Sequence, residues 1–254
     1  MNILTQWLGG GLTAALAAAI AISFVLGGLV KGTLGVGLPL VVVPLLSLAI
    51  PTPAAIGLVA IPVLASNVWQ AWDTNVRWQQ IRRFLPLILT LVLTTMLTVP
   101  ATLAMTPKML NAMLSVAVIT AVALMAYKPK FRIPEGHVGR WGVVVGGISG
   151  ILGGVSSLTG PIIIGYLMAL KLSREEFVGT VSIIYLCAAL PLYASMAAYG
   201  RFGVAEMLIS GIALLPLGVG LGLGKQLRGR LSEAVFRRTL LLFLTAIALL
   251  LLFK

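Results

Sequence analysis

Charge is what this sequence has least of: 9% of its 254 residues are Asp, Glu, Lys or Arg, against roughly a quarter in an ordinary soluble domain. That shortage excludes a water-facing surface of the usual kind. With 59% hydrophobic residues and a mean hydropathy of +1.09, most of the chain must lie in lipid. Acid is scarcer still. The six acidic residues, Asp73, Glu135, Glu175, Glu176, Glu206 and Glu233, fall in loops or at segment ends. No buried carboxylate is therefore expected as a proton or cation relay, which argues against cation transport. Histidine is reduced to His137, in a basic stretch, and cysteine to Cys187, in an apolar run, so an intramolecular disulfide is excluded. No zinc-ligand spacing, Ser-His-Asp arrangement or nucleotide-binding motif is present. These absences point away from an enzyme, and no metal or cofactor is expected.

What is there is apolar sequence in long runs, each about the 20 residues needed to cross a hydrocarbon core. The opening residues 1–10 lack the basic region and small-residue cleavage site of a secretory signal, so 12–30 reads as a retained membrane helix. The net charge of +12 is clustered rather than spread. Arg77, Arg82 and Arg83 form one group, Lys128, Lys130, Arg132 and Arg140 a second, and Lys225, Arg228, Arg230, Arg237 and Arg238 a third. Short basic loops between apolar segments are what the positive-inside rule places in the cytoplasm. Basic patches interleaved with aromatics are not found elsewhere, so no nucleic-acid partner is expected.

Ten apolar runs repeat in order. The first five cover 12–30, 38–50, 54–72, 84–105 and 109–127, with the second short; the next five cover 141–155, 160–172, 177–199, 204–223 and 236–253, with the first two short. The stretch Gly32-Thr33-Leu34-Gly35 is echoed by Gly150-Ile151-Leu152-Gly153, and Pro39-Leu40-Val41-Val42-Val43 by Pro161-Ile162-Ile163-Ile164-Gly165. The second echo has an offset of 122, which also lays Ile56-Gly57-Leu58-Val59 over Val178-Gly179-Thr180-Val181. The expected fold is an all-α polytopic membrane protein of two tandem repeats, 1–128 and 141–254, joined by a basic cytoplasmic linker at 129–140. Each repeat has short broken helices at a Gly-rich junction and three long transmembrane helices. If the short pair of the second half crosses twice or re-enters, all three basic loops share a face. Each half then crosses an odd number of times, and the repeats are inverted with both termini outside.

The two junctions carry the candidate site. Each is rich in glycine and closes on proline, at Pro39 and at Pro161. Glycine permits the sharp backbone turn and proline suits the first turn of the helix that follows. Helix N-termini present free N–H groups and about half a positive charge, so two of them facing each other at the midplane would hold one anion. The candidate residues are Lys31, Thr33, Gly35 and Gly37 in the first junction, and Gly154, Ser156, Ser157, Thr159 and Gly160 in the second. The alternative for the glycines is close helix packing. Lys31 is the one base embedded in a junction, and it either contacts substrate or snorkels to water. Asn67 and Gln70, three apart on one helix face, could donate amide bonds to anion oxygens or bond between helices. Tyr166 and Tyr185 are weaker candidates, and Trp69 and Trp78 read as interfacial anchors.

These junctions, the Gly57 and Gly179 echo, and the loops Asn75-Val76-Arg77-Trp78 and Tyr199-Gly200-Arg201-Phe202-Gly203-Val204 resemble the TauE/SafE sulfite exporter family, also called the toluenesulfonate uptake permeases. The resemblance covers essentially the whole chain. It implies a secondary transporter or facilitator for a small sulfur-containing anion, sulfite or an organosulfonate, in the inner (cytoplasmic) membrane. The expected partners are that anion and membrane lipid, with a homo-oligomer left open. A cation or metal permease, a membrane-embedded enzyme and a structural partner of another transporter are the rival readings.

Overall fold

The computed structural model describes residues 13–74, 77–126, 132–170, 172–227 and 233–254, and the elements within them are helical. In chain order the α-helices of the first half are α1 (Ala14–Leu34), α2 (Leu38–Ser47), α3 (Thr52–Leu58), α4 (Ala60–Asp73), α5 (Trp78–Ile81), α6 (Leu85–Ala101) and α7 (Pro107–Ala126). The second half has α8 (Val138–Ser156), α9 (Gly160–Met168), α10 (Arg174–Ala198), α11 (Val204–Ile212), α12 (Leu214–Leu227) and α13 (Glu233–Leu252). Several sequence expectations fall outside the described residues: the start at 1–12, Asn75 and Val76, the linker positions Lys128 and Lys130, and Arg228 and Arg230.

Seven helices among the described residues are long and apolar enough to cross a membrane: α1, the joined pairs α3–α4, α5–α6 and α11–α12, and α7, α8 and α10. Leu38–Ser47 and Arg238–Leu252 are shorter apolar helices. The expectation that the second half opens with two short segments is corrected. Its first helix, α8, runs 19 residues from Val138 to Ser156, so at each junction only the second helix, α2 or α9, is short. The glycines read as a break, Gly146, Gly150 and Gly154, stay helical because a neighbouring helix covers them. A Cβ on Gly150 would stand 2.6 Å from the Leu91 carbonyl oxygen of α6, and one on Gly154 would stand 2.7 Å from the Thr98 Cβ.

The same device appears on the other side of the molecule. A Cβ on Gly28 or Gly32 of α1 would lie 2.6 Å from the carbonyl oxygen of Leu217 or Leu221 in α12. Small residues four apart let two backbones touch, the usual basis of close helix pairing in membranes. Both pairs are parallel, since higher numbers on one helix meet higher numbers on the other. The first helix of each half therefore lies along the fourth helix of the other half. Third packs on third, α4 on α10, and fifth on fifth, α7 on α13.

The short helices turn back. At the end of α9, the Tyr166 hydroxyl donates to the Val138 carbonyl at 2.9 Å, and the Ile133 N–H donates to the Ala169 carbonyl at 3.4 Å. So α9 returns to the face where α8 began. That face is the basic one: Gly139 packs on Pro86, one turn beyond Arg82 and Arg83. Helix α10 starts there, where Gln80 donates to Glu176 at 3.0 Å, and ends on the opposite face, where Arg201 donates to the Thr102 hydroxyl and carbonyl at 3.0 and 3.2 Å.

Proline sets one further break. Pro62 has no N–H to offer the Leu58 carbonyl four residues back, and buried carbonyls need a partner. Ser210 of α11, fully buried, donates to that carbonyl at 2.7 Å and accepts the Ile61 N–H at 3.0 Å. The bend between α3 and α4 is thus held by a hydroxyl from the other half.

Candidate functional site

The two junctions are built alike. Helix α1 ends at Gly35, whose φ of 83° is left-handed and whose N–H donates to the Lys31 carbonyl at 2.8 Å. Helix α8 ends at Ser157 in the same way, with φ of 60° and an N–H bond of 2.7 Å to Gly153. Gly37 then caps α2 and Thr159 caps α9, each followed two residues on by Pro39 or Pro161. Gly35 and Ser157, Gly37 and Thr159, and Pro39 and Pro161 are each 122 apart. Ser157 is the one non-glycine residue with positive φ among the described residues. A side chain there costs about 1–2 kcal/mol, and such strain is a pointer to function rather than to folding.

Both new helices begin at one cavity. It measures about 40 Å³ and is lined by Gly37, Pro39 and Leu40 of the first junction and by Ser157, Thr159, Gly160 and Pro161 of the second. Thr95 of α6 and Tyr185 of α10 complete its polar wall. The free N–H groups of a first helical turn, here from both α2 and α9, have no intrahelical partner. The Tyr185 hydroxyl is buried without a hydrogen-bond partner among the described residues. It stands where a Cβ on Gly160 would be, 2.5 Å away, so glycine is what admits it. A buried hydroxyl left unsatisfied costs about 1–3 kcal/mol, and a ligand oxygen would satisfy it. Two helix N-termini, three hydroxyls and Tyr185, with no carboxylate in the wall, make an environment for a small anion.

The remaining candidates lie elsewhere. Lys31 is within the last turns of α1, not in the break, and is 3% exposed. Its ammonium donates to Asn67 Oδ1 at 2.6 Å. Gln70 donates to the Gly35 carbonyl at 2.9 Å and accepts from the Ser182 hydroxyl at 3.2 Å. Lys31, Gly35 and Gln70 border a second cavity of about 210 Å³, together with Asp73 and Lys225. Thr33 is inside α1, and its hydroxyl bonds back to Leu29 and Val30 at 2.7 and 2.9 Å. Ser156 likewise bonds back to Leu152 at 2.6 Å and accepts the Leu158 N–H at 3.3 Å, closing its own helix. Gly154 packs on Thr98. Tyr166 supports the hairpin through its bond to Val138.

Two residues of the junction cavity carry more weight than the sequence reading gives them: Thr95, absent from it, and Tyr185, a weaker candidate in it. The Thr95 hydroxyl donates to the Gly150 carbonyl at 3.4 Å, so it faces α8 beside Thr90, Thr94 and Thr98 while also bordering the cavity. Tyr185 replaces Val63 at the offset of 122, a polar residue in one half where the other has an apolar one. The expectation of no buried carboxylate is corrected. Glu206 sits in the first turn of α11 but is 1% exposed, and its Oε2 accepts the Gly203 N–H at 2.9 Å. Its position at a segment end hid the fact that α11 is packed under α3 and α4. No cluster of three or more metal-binding side chains occurs among the described residues.

No curated protein and no solved structure matches the chain. The family model described as Sulfite exporter TauE/SafE matches residues 19–251, which includes both junctions and every helix of the two halves in whole or part. This chain belongs to the TauE/SafE sulfite exporter family of multi-pass membrane transporters, and not to an enzyme family.

Proposed function

We propose that the protein is a secondary transporter for sulfite or a sulfur oxyanion of similar size, and that the anion binds in the junction cavity between two inverted halves. The observation that carries this reading is the convergence of the α2 and α9 N-termini on one cavity that contains no acid. Backbone N–H groups at helix starts favour anions through both hydrogen bonds and the helix dipole. A three-oxygen sulfur centre accepts several such bonds at once, so no buried cation has to be matched against it. Ser157, Thr159, Thr95 and Tyr185 would supply hydroxyls, and Gly37 and Gly160 would let the anion approach the backbone. A cavity of about 40 Å³ has room for a few waters, which favours sulfite over an aromatic sulfonate.

The basic face carrying Arg77, Arg82, Arg83 and Arg140 is then cytoplasmic, with the protein in the cytoplasmic membrane. The reciprocal packing of α1 on α12 and α8 on α6, and the return of α9 to the face where α8 began, favour inverted halves. Alternating access would rock one half against the other about the cavity. Proteoliposomes containing the purified chain test this. Sulfite added outside is expected to accelerate release of labelled sulfite from inside, and Thr159→Val is expected to slow it about tenfold. Liposomes that release no faster with sulfite, taurine-like or aromatic sulfonates outside than with chloride would overturn the proposal.

A further inference from the structure

We infer that the cavity around Lys31 is a second anion site, lying between the junction cavity and the basic face, where the anion rests with part of its water before entering the smaller cavity. This rests on the transport reading above. Lys31 is 3% exposed, and its ammonium bonds to an amide oxygen, Asn67 Oδ1, at 2.6 Å. A neutral acceptor takes up one of three N–H donors and cancels no charge. Burying an ammonium without a counter-charge is costly. The cavity it borders contains two ammonium groups, Lys31 and Lys225, and one carboxylate, Asp73, a formal charge of +1. One monovalent anion would neutralise it.

The repeat register adds an independent reason. At the offset of 122, Lys31 corresponds to Gly153 and Asn67 to Ala189. Both small residues border the junction cavity. At equivalent places one half therefore keeps a fixed cation and the other keeps open space. The two cavities are neighbours across the α1–α2 junction, since Gly35 borders one and Gly37 the other. Along α4 the order is Val63 in the junction cavity, then Ser66, Gln70 and Asp73 in the Lys31 cavity. Volumes of about 210 and 40 Å³ match a hydrated anion outside and a stripped one within.

Sulfite binding to the purified full-length chain, followed by calorimetry and by thermal unfolding, separates the two sites. Lys31→Met is expected to weaken one class of sulfite sites about tenfold and Thr159→Val the other. In the double variant the two effects should add, as they do for separate sites. Without sulfite, Lys31→Met should unfold at no lower temperature than the parent, because it removes a buried charge. Lys31→Gln, which can keep the bond to Asn67, should show the same loss of binding and serves if the Met variant does not fold. Unchanged sulfite binding in the Lys31 variants, with Thr159→Val still impaired, overturns the second site and leaves the junction site standing. A double variant no worse than the weaker single one means a single site, and also overturns it. If neither substitution affects binding, both the second site and the proposed function fall.

Discussion

At the scale of single residues, Tyr185 separates affinity from stability. Its hydroxyl is buried without a partner among the described residues, so Tyr185→Phe removes an unsatisfied group. The empty protein should gain about 1 kcal/mol, seen as a higher unfolding temperature. Sulfite-driven flux should fall about tenfold, because a hydroxyl bond to a charged group is worth about 1.5–3 kcal/mol. A variant that loses flux and stability together would make Tyr185 a packing residue. The sequence reached most of this site for a local reason. Gly37, Ser157, Thr159 and Gly160 are junction residues, and caps and turns follow from backbone chemistry that neighbouring residues specify. Thr95 and Tyr185 come from the middles of α6 and α10, where only the packing of helices from both halves brings them to the cavity. Lys31 was legible as unusual, but its bond to Asn67, 36 residues away, was not.

Among the helices, glycine has two different uses that sequence alone does not distinguish. Gly147 has nothing within 4 Å of the position its Cβ would take, whereas Gly150, three residues on, would press on Leu91 and Thr94. Gly147→Ala should be neutral or stabilising by up to about 1 kcal/mol through helix propensity. Gly150→Ala should cost about 1–3 kcal/mol by overpacking. Comparing the two unfolding temperatures in one detergent checks this, and equal effects would contradict the α6–α8 packing. The α3–α4 bend gives a second test. Ser210→Ala leaves the Leu58 carbonyl and Ile61 N–H without their bridge, at an expected cost of about 1–3 kcal/mol, again read in thermal unfolding. Apolar run length located the membrane helices within a few residues, because lipid thickness is a constraint written in composition. The run at 141–155 falls short of α8 mainly at its start, where Val138, Gly139 and Arg140 join the helix, because a glycine and an arginine interrupt the apolar pattern there.

For the whole molecule, sidedness is the property most open to direct measurement. In a Cys187→Ala background, Arg82→Cys and Arg201→Cys should react from opposite sides of the membrane, since the two residues lie at opposite ends of the bundle. An impermeant thiol reagent added to intact cells should label the Arg201 position and spare the Arg82 position until the cells are broken. Labelling of both from one side would contradict the fold. The exchange of helices between halves also imposes an order on assembly. Leu91 and Gly150 meet after 59 residues of further synthesis, whereas Gly28 must wait 189 residues for Leu217. At about 5–20 residues per second, the first helix spends roughly ten to forty seconds in the bilayer with its glycine face uncovered. Of the two glycine pairings, the one on α1 therefore closes last, after the helices between α1 and α12 have been synthesised.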